Sequence, residues 1–334
     1  MKILIQNGRV IDPARGFDQV CDVALAAGRV VAVGQAPAGF EADRVVDASG
    51  QWVLPGLVDL AVRLREPGYE HEGMLASEMG ASVAGGVTSL VCLPDTDPVL
   101  DEQGLVEMLK FRAEKQHKSR LFPMGALTIG LKGETLTEMA ELTESGCVAF
   151  GQADVPLASI TTLSRALAYA NTFGYAVWLR PNDKDLGKGV AASGPLATRM
   201  GLSGVSVAAE TIALHTIFEL IRGSQTRVHL CRLSSAAGVE LVRKAKAEGL
   251  NVTADVSINS LHLTENDIGY FDSSARLGPV LEEFLEQVFS QSRFEAPLLL
   301  RGVYFTSGRQ GGVRLDQVRD SMREYLEVDV QADQ

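Results

Sequence analysis

Seven short apolar runs recur between residues 55 and 280, and longer stretches with helical spacing separate them. Continuous apolar strands that alternate with helices are typical of a parallel sheet covered on both faces. Seven strands are one fewer than a closed (β/α)8 barrel needs, so the pattern predicts an α/β fold with a TIM-like barrel, either complete or truncated after strand 7. The runs are GLVDLAV (56–62), VTSLVCLP (87–94), RLFPMGALT (120–128), GCVAFG (146–151), YAVWLR (175–180), RVHLCRL (227–233) and NVTADVS (251–257).

Two flanking regions differ from this central one. Residues 1–54 contain β-rich runs punctuated by glycine, which predict a small antiparallel sheet or half of a sandwich. Residues 281–334 contain a helix, a strand and a charged helix, and the strand PLLLRGVYF (297–305) could fill the strand-8 position. We therefore predict a small β domain (1–54), a barrel (55–280) and a divergent tail (281–334).

The overall charge limits the partners of this chain. The formal net charge is −11 and the pI about 5.0, which argues against nucleic acid or an anionic membrane as the main partner. Four cysteines lie far apart with no C-x-x-C pair, which is typical of reduced core cysteines. The first residues, MKILIQNGRV, do not resemble a signal peptide, and no apolar run is long enough to span a membrane. We expect a cytoplasmic protein.

Polar residues cluster where the predicted strands end, which is where TIM-type barrels place their functional groups. The first strand is followed by Arg63 and Arg65, and the second by Asp95. The fifth ends at Arg180 and the sixth at Arg232. We expect these five side chains to surround the opening of the predicted barrel at the carboxyl ends of its strands.

These strand ends resemble the dihydroorotase family of cyclic amidohydrolases over residues 1 to about 280. PGLVDLAVRLREPG (55–68) matches the family's P-G-L-V-D-x-H-x-H-x-R-E-P-G except at the two histidines, where Ala61 and Arg63 stand. GGVTSLVCLPDT (85–96) resembles G-G-x-T-x-x-x-x-M-P-N-T, with Asp95 in place of asparagine. The resemblance implies a zinc site whose ligands activate a water molecule.

The positions at which the resemblance implies metal ligands hold other residues in this chain. Alanine has no donor atom, and an arginine side chain stays protonated and has no lone pair for a cation. The family's catalytic aspartate, usually in D-H-x-P, has no counterpart after residue 280. We therefore predict no metal, no cofactor and no catalytic residue. The replaced positions are Ala61, Arg63, Gln152, Ala153, Arg180, Arg232, Asn259 and Ser260.

The remaining charges allow two interpretations. Guanidinium–carboxylate pairs could hold the mouth together, with Arg63, Arg180 and Arg232 bound to Asp59, Asp95 and Asp255. The same arginines, together with Arg65 and Asp95, could also leave a modest anion site. In the family the arginine at Arg65 holds the substrate carboxylate, and here we expect it to pair with Asp59, Asp95 or Glu66. We interpret His229 as a core residue. For His262, two residues past Ser260, we favour a structural role over a functional one.

The tail resembles a different family. FLEQVFSQSRFEAPLLLRGVYFTSGRQGG (284–312) is similar to a short stretch of the type VI secretion IcmF family. Either a gene fusion or sequence artefact truncated the parent protein at strand 7, or the similarity arose by chance in a divergent tail.

Three functions remain open. The resemblance and the replaced ligands favour a non-catalytic dihydroorotase-like subunit in pyrimidine biosynthesis. Such a subunit would hold the aspartate transcarbamoylase catalytic chain in a homo- or hetero-oligomer. The alternatives are a metal-dependent cyclic amidohydrolase with an unusual site, and a truncated or fused product without stable function.

Overall fold

The computed structural model describes residues 1–156, 159–261 and 263–269. The chain divides into two compact units, and the boundary between them follows Leu57. The predicted tail (281–334), its strand-8 candidate and His262 lie outside the described residues. Within the described part, no helix combines the length and the apolar character that a membrane span needs.

The first unit is a five-stranded sheet. Its central strand β1 pairs antiparallel with β2 but parallel with β4 and β5, so the sheet is mixed. Of the two predicted alternatives, the antiparallel sheet was therefore wrong, and the half-sandwich stays a prediction. The reason is the 35–43 connection, which returns the chain to the far side of β1 instead of making another hairpin. The strands are β1 (Lys2–Asp12), β2 (Phe17–Ala26), β3 (Arg29–Gly34), β4 (Arg44–Asp47) and β5 (Trp52–Val53).

A tight turn between β2 and β3 fixes their register. Ala27 and Gly28 both have positive φ angles, 50° and 71°, as in the two-residue turns that match the twist of a hairpin. Ala26 pairs with Arg29 directly across this turn.

The second unit contains a seven-stranded sheet in the order β14-β13-β10-β9-β8-β7-β6. All seven predicted strands are present, and each pair from β7 to β14 is parallel. For the described residues, the predicted TIM-like architecture is confirmed, in the form that stops after strand 7. The strands are β6 (Leu57–Val62), β7 (Val87–Cys92), β8 (Arg120–Ala126), β9 (Ala149–Gly151), β10 (Ala176–Leu179), β13 (Arg227–Leu233) and β14 (Val252–Val256), and a short pair is formed by β11 (Ala191–Ala192) and β12 (Gly204–Val205).

Helices occupy the connections between these strands. Serine residues begin three of the helices as N-caps: Ser159 accepts the N–H of Thr162, and Ser206 and Ser235 cap two later helices in the same way. The helices are α1 (Leu75–Ala84), α2 (Gln103–Glu114), α3 (Met139–Glu144), α4 (Ile160–Phe173), α5 (Pro195–Met200), α6 (Val207–Ile221) and α7 (Ala236–Ala247), with 3₁₀ turns at Ile129–Leu131, Ile258–Leu261 and Glu265–Ile268.

One face of the large sheet forms a closely packed core. Gly151 on β9 allows this packing, because a Cβ there would come within 2.7 Å of both the Met124 sulfur and the Trp178 carbonyl oxygen. Trp178 stands opposite His229 in register, so the same face continues onto β13. The core residues are Ala61, Val91, Leu93, Met124, Ala149 and Ala153, with Leu60, Phe122, Ala176 and Trp178 packed against them.

The four cysteines are free thiols in the structure. Cys92 and Cys147 are buried, and burial raises the pKa of each thiol to about 12. Such thiols are protonated at neutral pH and react slowly.

Candidate functional site: an arginine cluster

Five charged side chains meet at the carboxyl ends of the parallel strands. Arg63 directly follows β6, and Asp95 follows β7. Asp154 and Arg180 follow β9 and β10, and Arg232 lies near the end of β13. Because the carboxyl ends of parallel strands share one edge of the sheet, residues far apart in sequence come together here. We call these five residues the arginine cluster.

Asp154 lies at the centre of the arginine cluster and binds all three guanidiniums. Arg63 donates to Oδ2 from Nη2 at 2.6 Å, and Arg180 donates to Oδ1 from Nη1 at 3.1 Å. Arg232 reaches both oxygens, through Nη2 to Oδ1 and through Nη1 to Oδ2. Arg63 also donates from Nε to Asp95 Oδ2 at 2.7 Å. Charge-assisted bonds of this kind are the stronger class of protein hydrogen bond.

The electrostatics follow from this geometry. Burial raises the pKa of Asp154, but the three guanidiniums outweigh it, so the pKa falls well below its usual range. Burial opposes the charge of Arg63, but Asp95 and Asp154 together raise its pKa. For Arg180, burial and repulsion from Arg232 and Arg63 outweigh Asp154, and its pKa is lowered. The charge of Arg180 is therefore less well compensated than that of Arg63.

The structure brings together Arg63, Arg180, Arg232 and Asp95, as the strand ends predicted. Asp154, which joins them, was not predicted from the sequence. Asp59 accepts the backbone N–H of Ala61 at 2.9 Å, and Asp255 accepts the backbone N–H of Arg232. The signal for Asp154 was its place in GQAD (151–154), within two residues of the expected acidic ligand.

Arg65 has a partner that the sequence did not suggest. Its Nη1 lies 3.0 Å from Glu72 Oε2, whereas Glu66 pairs with Arg112 at 3.2 Å. The predicted pairing with Asp59, Asp95 or Glu66 was therefore wrong. The chain turns back after Arg65, where the Tyr69 N–H bonds the Arg65 carbonyl oxygen at 2.8 Å, and this turn returns Glu72 to the guanidinium.

The remaining replaced positions have structural contacts. Gln152 is buried, and its Oε1 accepts the N–H and the hydroxyl of Thr128 at 3.1 and 2.9 Å. Ala61 and Ala153 belong to the packed core of the sheet. Ser260 is buried, and the Asn259 N–H bonds the Ser257 hydroxyl at 3.3 Å.

A metal ion does not fit the arginine cluster. Three guanidiniums offer protons and positive charge where a divalent cation needs lone pairs. The two carboxylates that could serve as ligands already bind these guanidiniums. These residues therefore do not support a metal-dependent catalytic step at the carboxyl ends of the strands.

A second group of polar side chains lies on the neighbouring strands β13 and β14. His229 Nδ1 lies 2.8 Å from the Thr253 hydroxyl, and its Nε2 lies 3.0 Å from Asp255 Oδ2. Possible ligand atoms of His229, Cys231 and Asp255 all lie within 4.8 Å of one another. Trp178 covers the imidazole with ring centroids 4.7 Å apart, which places His229 in the buried interior.

Comparison with known proteins supports the fold and the family. The Dihydro-orotase-like family model matches residues 50–237, and a model of the IcmF-related N-terminal domain matches residues 268–334. From residue 270 onward the second match lies outside the described residues, so the origin of the tail stays a hypothesis.

Named relatives agree with the first of these matches. A dihydroorotase-like protein of Pseudomonas putida is 46% identical over 282 residues, covering 84% of this chain and 66% of the relative. A dihydroorotase of Pelobacter propionicus is 39% identical over 287 residues, covering 85% of this chain and 67% of the relative. The chain thus spans about two thirds of the length of these relatives.

A solved structure shows the same fold. The L-hydantoinase of Arthrobacter aurescens superposes with a TM-score of 0.70 at 20% identity, covering 84% of this chain and 63% of the hydantoinase. Seven parallel strands, the motif residues at their ends and the matches over most of the chain agree with one another, and the chain belongs to the dihydroorotase-like family.

Proposed function

We propose that this chain is a catalytically inactive dihydroorotase-like subunit in pyrimidine biosynthesis, and that it holds the aspartate transcarbamoylase catalytic chain in a larger assembly. The observation that carries this proposal is the convergence of Arg63, Arg180 and Arg232 on Asp154. These arginines stand at positions where the sequence resemblance implies metal ligands.

The chemistry of these positions argues against hydrolysis. Ring opening of a cyclic amide in this family requires a water molecule activated by a metal and a base that moves its proton. The guanidiniums of the arginine cluster have no lone pair for a metal, and both of its carboxylates are held in ion pairs. The low pKa of Asp154 also makes this carboxylate a poor proton acceptor at neutral pH.

The same contacts support a structural role. The arginine cluster joins residues from the ends of β6, β7, β9, β10 and β13, so ion pairs bridge strands that a metal would otherwise help to hold. A barrel whose strand ends are joined by ion pairs does not need a metal there for stability. It can therefore remain folded, and serve as a scaffold, after the catalytic activity is lost.

The partner assignment depends on the sequence resemblance alone. Co-expression with the aspartate transcarbamoylase catalytic chain of the same organism, followed by size-exclusion chromatography with light scattering, tests it directly. We expect one co-eluting complex, and separate elution of the two chains would contradict the scaffolding role. Separate elution of a chain that also lacks a cooperative unfolding transition would favour the third hypothesis, a truncated or fused product.

Activity is tested by dihydroorotate turnover and by zinc analysis of the purified chain. We expect neither turnover nor stoichiometric zinc. The double variant Ala61→His with Arg63→His should also be inactive, because Arg180 and Arg232 still repel a cation. Turnover in the wild-type chain or in the double variant would contradict the proposal.

One observation favours the alternative of a metal-dependent cyclic amidohydrolase. His229, Cys231 and Asp255 could together offer nitrogen, sulfur and oxygen ligands. Zinc analysis of wild type and Cys231→Ala decides the point. Under our proposal both proteins are equally low in zinc, whereas stoichiometric zinc that is lost in the variant would support the alternative.

A further inference from the structure

Three side chains on β13 and β14 form a line of hydrogen bonds that runs from a hydroxyl through an imidazole to a carboxylate. His229 stands opposite Thr253 in the parallel register of these strands. Thr253 and Asp255 are two residues apart on β14, so their side chains project from the same face of the sheet. We call these three residues the β13–β14 triad. None of them stands at a position where the family resemblance implies a metal ligand.

The hydrogen bonds of the triad determine where the imidazole proton lies. Nε2 of His229 lies 3.0 Å from Asp255 Oδ2, and the other oxygen of Asp255 accepts the backbone N–H of Arg232. An ionised carboxylate can only accept hydrogen bonds, so it selects the neutral tautomer with the proton on Nε2. The lone pair of Nδ1 then faces the Thr253 hydroxyl, which lies 2.8 Å away. This is the relation between a nucleophile and its general base in triad enzymes.

The base is held inside the protein, whereas the hydroxyl faces solvent. The side chains of His229 and Asp255 are only 10% and 4% exposed. Trp178 packs against the imidazole, with ring centroids 4.7 Å apart, and limits its rotation. Thr253, by contrast, is an exposed residue. All three members of the triad lie on strands, which hold their relative positions more precisely than loops do.

We propose that Thr253 is a nucleophile that activated acyl esters acylate, with His229 as its general base and Asp255 as the residue that positions the base. The Thr253 oxygen attacks the carbonyl carbon of the ester and forms a new C–O bond, while Nδ1 takes the hydroxyl proton. The bond to the leaving alcohol then breaks, and the alcohol oxygen takes the bonding electron pair and the proton from Nδ1. The products are a threonine ester and a free alcohol.

This site does not depend on the proposed function. The step needs no metal and no partner protein, and the ester forms once on each chain, so it is compatible with an inability to hydrolyse dihydroorotate. A failure of acylation would leave the scaffolding role as it stands. Separate elution from the aspartate transcarbamoylase catalytic chain would likewise leave the acylation site as it stands.

Incubation of the full chain with p-nitrophenyl acetate at neutral pH, followed by peptide mass spectrometry, tests the site. We expect one acetyl group on Thr253. The variant Thr253→Val keeps the shape of the side chain but has no hydroxyl, and it should lose this label. The variant His229→Gln should slow the labelling of Thr253 at least about 100-fold, because a general base contributes about 10²–10⁴-fold.

A matched control is Thr172→Val on α4. The Thr172 hydroxyl is also exposed, but it donates to the Ala168 carbonyl oxygen at 3.0 Å and contacts no base. This variant should keep the full rate of labelling at Thr253. In the wild type, we expect Thr172 to be labelled far more slowly than Thr253, because the attacking hydroxyl needs a group that takes its proton.

The role of Asp255 is tested by the tautomer of His229, which ¹⁵N NMR of the imidazole nitrogens reports. We expect the proton on Nε2 in the wild type. In Asp255→Asn the side-chain amide can donate to Nε2, so this preference should be lost and acylation of Thr253 should slow at least about tenfold. If His229→Gln does not fold, Asp255→Asn also serves as the variant that tests the base.

Each outcome decides the proposal. An unlabelled Thr253, or labelling of Thr253 no faster than that of Thr172, would overturn the site. An unchanged rate in His229→Gln, or a proton on Nδ1 in the wild type, would overturn the assignment of His229 as general base. An unchanged tautomer and an unchanged rate in Asp255→Asn would overturn the positioning role of Asp255.

Discussion

Asp154 accepts hydrogen bonds from three arginines that follow or end three different strands. It lies 91 residues from Arg63 and 78 residues from Arg232 in the sequence. Without this carboxylate, the three guanidiniums would lose the acceptor that they share. Because like charges in a half-buried site repel strongly, Asp154 is the residue that makes the arginine replacements compatible with the fold.

The variant Asp154→Asn should therefore lower the free energy of unfolding by about 2–4 kcal/mol, somewhat less than for a fully buried pair because a third of the side chain is exposed. Urea unfolding measures the effect. Asp95→Asn serves as the control, because Asp95 pairs with Arg63 alone among the described residues, and it should cost only about 1 kcal/mol. Equal losses in the two variants would show that Asp154 is not the centre of the cluster.

The depressed pKa of Asp154 also predicts a pH dependence. Its ion pairs contribute fully above the ordinary value of 3.8, and the contribution is lost as the pH falls through the lower pKa of the folded state. Between the two pKa values, the unfolded chain binds one proton more than the folded chain. The free energy of unfolding therefore falls by about 1.4 kcal/mol for each unit by which the pH is lowered. The Asp154→Asn variant lacks this contribution. Below about pH 4, its free energy of unfolding should therefore change less steeply with pH than that of the wild type, by about 1.4 kcal/mol per unit. Parallel profiles in urea titrations would contradict the assignment.

At the level of elements, a buried carboxylate joins two helices beside the site. Glu210 on α6 accepts the N–H groups of Ser234 and Ser235 at 2.7 and 3.2 Å, and it also accepts both serine hydroxyls. Burial raises the pKa of Glu210, while these four hydrogen bonds oppose the shift. Gly238 in the first turn of α7 leaves room for this carboxylate, because a Cβ there would lie 1.9 Å from Glu210 Oε1. The loop after β13, which positions Arg232, is thereby tied to α6.

The variant Glu210→Ala should lower the free energy of unfolding by about 3 kcal/mol, because it leaves buried N–H groups without their acceptor. Urea unfolding again measures the loss. Glu219→Ala is the matched control on the same helix: its side chain is 73% exposed, and we expect a change within about 0.5 kcal/mol. Similar losses in both variants would show that the buried hydrogen bonds of Glu210 are not the cause, because alanine is itself a strong helix former.

At the level of the whole molecule, the first unit exposes apolar side chains on its sheet. Val31 and Val33 on β3 are 47% and 41% exposed, and Val20 on β2 and Val45 on β4 are 71% and 55% exposed. Among the described strands, β3 lies at an edge of this sheet. An exposed edge with apolar side chains favours association of copies of a chain.

The variant Val31→Lys should therefore reduce concentration-dependent light scattering, because a lysine on an edge strand opposes strand pairing. Ala38→Lys adds the same charge in the 35–43 connection and should change scattering little. If both variants reduce scattering equally, net charge rather than the β3 edge controls association.

The sequence predicted the fold from local patterns. Each of the seven apolar runs became a strand, because an apolar segment flanked by helices must be buried on both faces wherever it lies. The mixed order of the first sheet was not predictable, because the side on which β4 and β5 join β1 depends on the path of the 35–43 connection. The carboxyl ends of β6 and β10 correctly located Arg63 and Arg180. Their shared partner, Asp154, lies one residue past Ala153, a position at which the family resemblance implies a metal ligand.

The sequence by itself determined which atoms the mouth can offer, because lone pairs and charge belong to the residue type: an alanine and three arginines cannot hold a divalent cation in any fold. Only the tertiary structure decided which carboxylates meet those arginines. Asp154 and Glu72 became partners because ion pairs depend on separations of about 3 Å. Such distances between distant segments are set by the packing of strands and turns, and no local pattern in the chain encodes them.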